Sequence, residues 1–167
     1  TGLQPKSVAT ADVDADGDLH VFLPGQWTSF APGYITFQAV LYRGDGTGAF
    51  PQAELMLNVD FYDPFGGFPK PPAGHVAAGD VDHDGDPDLV FSGQQQTRVW
   101  RNDGGAFPTS TTLLADDGYA KGRNALILVD LDDDGHPDLV TVNGGRVDVF
   151  YGDGTGAFGS QHRLIGR

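Results

Sequence analysis

The chain has 167 residues, no cysteine and a formal net charge of −13. That length suffices for one domain with its own core, and the lack of cysteine excludes a disulfide framework. The acidic balance argues against nucleic acid and anionic lipid as partners, and no apolar run is long enough to insert into a membrane. Because the chain begins with Thr1 rather than Met, we expect a processed product or a piece of a longer protein.

A nine-residue acidic pattern, D-x-D-x-D-G-x-x-D, occurs three times, with its last position changed in the first copy. We name the copies the first loop (DVDADGDLH, 12–20), the second loop (DVDHDGDPD, 80–88) and the third loop (DLDDDGHPD, 130–138). Of the 23 acidic residues 22 are Asp, and 14 of these lie in the loops, whereas ordinary surface acidity would mix Asp with Glu. Alternating carboxylates that close on a glycine supply the oxygens and the sharp turn that calcium requires. The pattern therefore predicts calcium sites.

Short extended segments surround each loop in the same order. SVATADV, HVAAGDV and ALILVDL come before the loops, and DLHVFLPG, DPDLVFSG and HPDLVTVNG overlap their ends. A second extended run then leads into a turn, G-T-G-A-F or G-G-A-F, and a last extended run. Four short strands separated by turns are typical of one propeller blade. We therefore predict an all-β chain of three four-stranded antiparallel blades in a single propeller segment, at about 5–60, 73–116 and 122–167.

Two insertions make the first unit longer than the others. The loops begin at residues 12, 80 and 130, and the extra residues are LPGQWTSFAPGY (23–34) and FYDPFGGFPKPP (61–72), which we predict to be loops. Their rings could stack on sugars or anchor a protein partner; the main candidates are Trp27, Tyr34 and Phe65, with Phe30, Phe61, Tyr62 and Phe68 beside them. The alternative is that these rings cover a sheet edge or pack between blades.

Repeats of the acidic loop, a short strand and a G-D-G-x-G-x-F turn resemble the FG-GAP and VCBS repeats of integrin alpha-subunit propellers and of many secreted bacterial and fungal proteins. The resemblance implies a calcium loop that joins two neighbouring strands at one rim of each blade. It also implies that side chains one, three, five and nine bind the metal, together with the carbonyl of position seven. The implied residues are Asp12, Asp14, Asp16, Asp18 and His20; Asp80, Asp82, Asp84, Asp86 and Asp88; and Asp130, Asp132, Asp134, His136 and Asp138.

His20 is the one departure at the ninth position. Calcium prefers hard oxygen donors, and imidazole is a poor ligand for it. We therefore expect two strong calcium sites and a weaker third site at the first loop.

Two other interpretations explain the loops less well. An EF-hand loop opens with the same spacing, but it needs a bidentate Glu at position twelve, where this chain has Leu23, Phe91 and Thr141. The segments after the loops are also strand-like rather than helical. The second alternative, solvated turns without metal, must explain why carboxylates that repel one another are crowded together.

The tripeptide Arg43-Gly44-Asp45 matches a known integrin ligand, but it aligns with turns in the other units, which favours a structural role. Trp100, in an alternating strand, is expected in the core between blades. No H-E-x-x-H, G-x-S-x-G or phosphate-binding glycine motif occurs. A glycosidase-type acid/base pair would need carboxyls placed away from the loops, and the candidates are Asp60, Asp63, Asp116, Asp117 and Asp148.

The sequence predicts a non-catalytic, calcium-binding propeller module, lectin-like or adhesion-like, that recognises a glycan or a protein outside the cell or at its surface, where calcium is abundant. The alternative is an accessory domain of a secreted carbohydrate-active enzyme such as a polysaccharide lyase or hydrolase. Because propellers close with four to eight blades, we expect the three blades to be completed by further blades of a longer chain or by self-association.

Overall fold

The structure is a computed structural model, and it describes residues 3–5, 7–28, 34–62, 74–93, 96–114, 123–143 and 146–165. These residues form strands, turns and bends without any helix. All strand pairs in them are antiparallel. The predicted all-β class is confirmed. The strands form three separate sheets, and no sheet closes on itself within the described residues.

The first sheet contains β1 (Leu3–Pro5), β2 (Ala9–Ala11), β3 (His20–Thr28), β4 (Tyr34–Arg43) and β5 (Gln52–Tyr62). Its leading strand is broken into two pieces, because β1 pairs with the far end of β3 and β2 pairs with its near end. The four predicted strand positions are present in this unit, and the leading one is divided into two pieces. β1 ends at Pro5, which has no N–H to donate to a ladder.

The other two sheets have the predicted four strands. The second sheet contains β6 (His75–Gly79), β7 (Asp88–Gly93), β8 (Gln96–Asp103) and β9 (Ala106–Leu114), paired in that order. The third sheet contains β10 (Arg123–Val129), β11 (Asp138–Asn143), β12 (Arg146–Gly152) and β13 (Phe158–Ile165), again paired in order. In each sheet the acidic loop connects the leading strand to the next one, so the loops occupy equivalent places.

The first insertion is not the loop that we predicted. Residues up to Thr28 continue β3, and β4 begins at Tyr34, so that Trp27 pairs with Thr36 and Thr28 with Ile35. The second insertion likewise extends β5 to Tyr62. Aromatic and β-branched residues favour extended backbone, and they lengthen this hairpin rather than leave it irregular. The rest of both insertions, residues 29–33 and 63–72, lies outside the described residues.

The three sheets pack face to face in chain order. One core cluster joins the first and second sheets through Phe22, Phe91 and Trp100, all at most 5% exposed. The Trp100 ring lies 6.0 Å from Phe22 and 5.6 Å from Phe91, centroid to centroid, which confirms its place between sheets. A second cluster joins the second and third sheets and includes Val99 and Phe150. Full burial of one such side chain contributes about 1.5–3 kcal/mol.

Candidate metal centres

The backbone of all three loops turns in the same way. The glycine at position six is left-handed in each loop, as predicted, with φ of 92° at Gly17, 97° at Gly85 and 91° at Gly135. The residue at position four is also left-handed, with φ of 56° at Ala15, 61° at His83 and 60° at Asp133. The second feature was not predicted, because nothing in these three side chains requires it. Two left-handed residues in each loop turn the chain tightly around a common centre.

Carboxylates within each loop hold this turn through backbone N–H groups. In the second loop, the Gly85 N–H donates to Asp80 Oδ2 at 3.1 Å, and the Asp86 N–H donates to Asp84 Oδ1 at 2.9 Å. The first and third loops repeat both bonds at 2.8–2.9 Å. The first carboxylate therefore uses one oxygen for the loop and keeps the other for a ligand.

The ninth residue anchors its loop from inside the protein. Asp88 is 0% exposed, and its two oxygens accept the N–H groups of Val81 at 2.9 Å and Asn102 at 2.8 Å. Asp138, also 0% exposed, accepts the equivalent N–H groups of Leu131 and Gly152, both at 2.9 Å. Each of these carboxylates joins the loop to the hairpin turn of its own sheet.

The loops bring together carboxylates that could hold a cation. The ligand atoms of each group lie within 4.8 Å of one another; the groups are Asp12, Asp14, Asp16 and His20; Asp80, Asp82 and Asp88; and Asp130, Asp132 and Asp138. Among the described residues, two buried oxygens in the first loop and two in the second have no hydrogen-bond partner, and these are Oδ1 of Asp12, Asp14, Asp80 and Asp82. Buried charged oxygens without a partner are costly. A hard dication in the loop would supply that partner, so the donor sets of the second and third loops fit calcium.

The pKa shifts show the electrostatic cost of leaving this charge uncompensated. Burial, with a smaller contribution from Asp82 and Asp84, raises the pKa of Asp88 to about 6, although two backbone N–H groups act in the opposite direction. Desolvation and the nearby carboxylates of Asp134 and Asp138 raise the pKa of Asp132. Both shifts favour the neutral acid over the carboxylate, and a bound cation would reverse that preference.

The side chain at position seven points to the turn of its own sheet rather than into the loop. Asp86 Oδ2 accepts the Gly104 N–H at 2.8 Å. Asp18 and His136 contact the equivalent glycines, Gly46 and Gly154, so closely that a Cβ there would lie within about 2.5 Å of their side chains. The side chains at position seven are therefore not metal ligands in this arrangement. The backbone carbonyl of position seven stays a predicted ligand.

One arginine connects the first loop to the second sheet, another connects the second loop to the third sheet, and sequence reasoning missed both. Arg43 donates to Asp14 Oδ2 at 3.3 Å, to Glu54 at 2.9 Å and to the Gly105 carbonyl of the second sheet at 2.6 Å. Arg101 lies 3.7 Å from Asp82 Oδ2 and donates to the Thr155 carbonyl of the third sheet at 2.7 Å. Their equivalent positions at the ends of β4 and β8 were the available signal.

The same contacts define the role of the Arg43-Gly44-Asp45 tripeptide. Arg43 is occupied between two sheets, as described above. Asp45 Oδ1 accepts hydrogen bonds from the Thr47 N–H at 3.0 Å and from the Thr47 hydroxyl at 2.6 Å. The bond from the hydroxyl is the largest cause of the lowered pKa of Asp45. The tripeptide forms a turn and an inter-sheet contact.

The structure says less about the other predicted site residues. Trp27 and Tyr34 lie on β3 and β4, but their side chains, like the whole of Phe65, fall outside the described residues. Among the carboxyls away from the loops, Asp148 is 4% exposed on β12, between Thr141 and Arg163 in register. Asp60 belongs to β5, with its side chain outside the described residues, as are Asp63, Asp116 and Asp117 entirely.

Comparison with known proteins supports the repeat. The family model of the FG-GAP-like repeat matches residues 80–141, which run from the second loop to β11. No curated protein matches the chain. A solved structure of the Photorhabdus luminescens Tc holotoxin pore is similar over 98% of this chain, at 19% identity and a TM-score of 0.40, and the match spans 10% of that chain. This TM-score is too low to support a conclusion about fold. No helix in the described part of the chain is long and apolar enough to cross a membrane.

Proposed function

From the FG-GAP-like repeat at residues 80–141, we propose that the chain is a non-catalytic, calcium-stabilised module of the propeller type that serves recognition of a glycan or protein outside the cell. One observation carries the calcium part of this proposal. The loops converge carboxylates on one point, and Oδ1 of Asp80 and Asp82 is buried there without a hydrogen-bond partner. A cation that takes six to eight oxygens accepts such a donor set.

Electrostatics gives the reason for a dication rather than water alone. Two unit charges 4 Å apart interact with about 1 kcal/mol in water and about 4 kcal/mol near a protein surface. The second loop holds three converging carboxylates within 4.8 Å, and one of them, Asp88, is fully buried. Calcium at that point would neutralise the repulsion and fix the loop to the hairpin turn that Asp88 contacts.

A thermal melt with and without calcium tests this part of the proposal. One calcium site at a hundredfold excess over Kd adds about 2.7 kcal/mol of stability, so chelation should lower Tm by several degrees. Asp82→Ala and Asp132→Ala should each remove one calcium equivalent in calorimetric titration. Asp103→Asn, an exposed charge change outside the loops, should leave the stoichiometry unchanged. An identical melting curve after chelation would contradict the calcium assignment.

The recognition part rests on the shape of the first sheet. Its β3, β4 and β5 have 9, 10 and 11 residues, whereas the equivalent strands of the third sheet have 6, 7 and 8. The additional length of these strands contains Trp27, Tyr34 and Tyr62, and residues that a scaffold positions in this way are candidates for binding. A glycan array with and without calcium tests for a sugar ligand. If no glycan binds in either condition, the proposal is reduced to recognition of a protein. A pull-down then tests for a protein ligand, with Trp27→Ala as the control variant.

The first and third sheets each expose an apolar face, although the equivalent faces between the sheets are covered. We call the face of a sheet that lies toward the preceding sheet its leading face and the opposite face its trailing face. On the leading face Val8 is 59% exposed, while the equivalent Val76 and Leu126 are 6% and 7% exposed. On the trailing face Ile127 and Leu131 are 54% and 49% exposed. The inter-sheet contacts already described join a trailing face to a leading face. We propose that two copies use the same contact head to tail, which would place six blades in one ring.

Complementation between variants tests the ring. Wild type should have twice the 17.7 kDa chain mass in light scattering. Val8→Asp and Ile127→Asp should each abolish the dimer, because each damages one face of both contacts. Mixing the two variants leaves one undamaged contact, so a heterodimer should reappear. A strictly monomeric wild type at micromolar concentration would overturn the head-to-tail dimer.

A further inference from the structure

The first loop has a histidine where the other loops have a buried carboxylate. His20 is 1% exposed, and the equivalent Asp88 and Asp138 are 0% exposed. All three residues begin the strand that follows the loop. The imidazole therefore occupies the inside of the loop rather than its solvent side, and its two ring nitrogens face defined neighbours.

Hydrogen bonding fixes which ring nitrogen is free to bind a metal. Nδ1 of His20 lies 3.0 Å from the Asp18 carbonyl oxygen. A carbonyl only accepts, so Nδ1 carries the hydrogen and Nε2 of the neutral ring presents its lone pair. Nε2 faces Asp14 Oδ2 at 3.3 Å, and the Arg43 guanidinium contacts the same oxygen, so the lone pair of a neutral ring points toward the Asp14 carboxylate. Histidines that bind metals usually donate the other ring N–H to a carbonyl or carboxylate in this way.

Three carboxylates complete the donor set. Asp12, Asp14 and Asp16 bring their ligand atoms within 4.8 Å of one another and of His20. Oδ1 of Asp12 and Oδ1 of Asp14 are buried without a hydrogen-bond partner. Asp14 can use that oxygen for a metal because its Oδ2 already accepts from Arg43. The loop thus offers one nitrogen and three carboxylates.

This donor set differs from the one that calcium takes. Calcium binds through six to eight oxygens, whereas imidazole suits zinc, copper, iron and nickel. Zinc lies about 2.0–2.1 Å from nitrogen and about 2.0–2.2 Å from carboxylate oxygen and is held by four ligands in tetrahedral sites. Such distances allow one ion to contact His20 Nε2 together with an oxygen of the Asp14 carboxylate, whose Oδ2 lies 3.3 Å from Nε2.

We propose that the first loop binds a divalent transition-metal ion of the zinc type, with His20 and the three aspartates as ligands, while the second and third loops take calcium. The inference shares with the proposed function the premise that the acidic loops bind cations. It assigns the first loop to a different metal class instead of treating it as a weakened calcium site.

A second pair of imidazoles must be removed before the test. His136 Nδ1 lies 2.6 Å from His83 Nε2 across the second and third loops, with the rings edge to face at 4.7 Å. An exposed histidine in contact with a half-buried one can capture a transition metal without any connection to the first loop. The His83→Ala/His136→Ala double variant is therefore the background for all measurements.

Cobalt(II) is the probe, because its visible absorption reports tetrahedral coordination. In the double variant, with excess calcium present, we expect one equivalent of cobalt to bind, to absorb strongly in the visible range and to be displaced by zinc. Adding His20→Ala should abolish the band and weaken zinc binding at least about tenfold. Adding His20→Asp should abolish the band and raise the calcium stoichiometry by one. Retention of calcium stabilisation by the other loops would show that these variants are folded.

Two results would overturn the proposal. One is the absence of a cobalt band in the double variant. The other is a band that survives His20→Ala. Either result leaves the calcium assignment of the second and third loops standing if chelation still lowers Tm. Conversely, if cobalt binds at the first loop but calcium does not change Tm, the proposed calcium-stabilised module is contradicted and the transition-metal site at the first loop is not.

Discussion

The second and third loops have almost the same sequence but very different surroundings. Val81 of the second loop is 3% exposed and its carbonyl accepts the Gly156 N–H of the third sheet at 2.9 Å. The equivalent Leu131 of the third loop is 49% exposed. Arg101 lies between the second loop and the third sheet, and its equivalent beside the third loop is Tyr151. The difference lies in what covers each loop, because the internal hydrogen bonds are the same.

This contrast separates local from neighbour-dependent parts of one repeat. In both copies the carboxylate at position one bonds the N–H at position six, five residues away, and the ninth carboxylate bonds the N–H at position two, seven residues away. In contrast, the residue at position two of a loop is buried only where another sheet follows in the chain. The contact between the arginine and a backbone carbonyl also needs that following sheet. Variants of matched residues in the two loops can therefore measure how much stability the neighbour provides.

The largest effect is expected at the ninth position. Asp88→Ala leaves the buried N–H groups of Val81 and Asn102 without an acceptor, and hydrogen bonds to charged groups contribute about 1.5–3 kcal/mol each. We expect a loss of about 3–5 kcal/mol in urea unfolding with chelator present. Asp138→Ala should cost less, because the N–H groups that it leaves are only partly buried. Equal losses would show that coverage by the next sheet does not matter at this position.

The next effect compares position two directly. Val81→Ala should cost about 2 kcal/mol, from about 0.8 kcal/mol for each buried carbon removed and the cavity that remains. Leu131→Ala should stay within about 0.5 kcal/mol in the monomer, as exposed substitutions usually do. Equilibrium unfolding of both variants, at concentrations where light scattering shows a monomer, gives the two values. A cost at Leu131 as large as that at Val81 would mean that another surface already covers the third loop.

A smaller effect is expected from the arginine contacts. Arg101→Ala removes the bond to the Thr155 carbonyl and the charge near Asp82, and since Arg101 is 42% exposed we expect a loss of about 1 kcal/mol. Arg43→Ala should cost more, because Arg43 is 20% exposed and contacts two carboxylates and a carbonyl. The unfolding free energies of the two variants test this order, and Arg101→Lys serves as the control that keeps the charge but loses the planar fork.

What could be predicted from the sequence follows the same division. The alternating carboxylates, the glycine turn and the short strands are local patterns, and they led to the loops and the all-β class. The inter-sheet roles of Arg43 and Arg101 depend on a neighbouring sheet about fifty to sixty residues away in the chain, so only their equivalent places in the repeat mark them in the sequence. The broken leading strand and the extended hairpin of the first sheet were missed for a related reason: strand ends are decided by the partner strand.

The smallest effect tests the local side of the comparison. The Thr155 hydroxyl donates to Asp153 Oδ1 at 2.7 Å and the Thr47 hydroxyl to Asp45 Oδ1 at 2.6 Å. These bonds are the largest cause of the lowered pKa of both carboxyls. A lowered folded-state pKa contributes stability that is present above the unfolded value of about 3.9 and is lost as pH falls through the folded value.

Thr155→Ala and Thr47→Ala should therefore raise the pKa of Asp153 and of Asp45 toward the ordinary value by similar amounts, measured by carboxyl carbon NMR titration. The turn of the third sheet contacts the second loop through Gly156 and Thr155, but both bonds to that loop and its arginine come from the backbone. The hydroxyl acts only within its own turn. Unequal changes in the two pKa values would show that the second loop influences the turn of the third sheet. The distinction between local and neighbour-dependent contacts would then be contradicted even for a bond within a single turn.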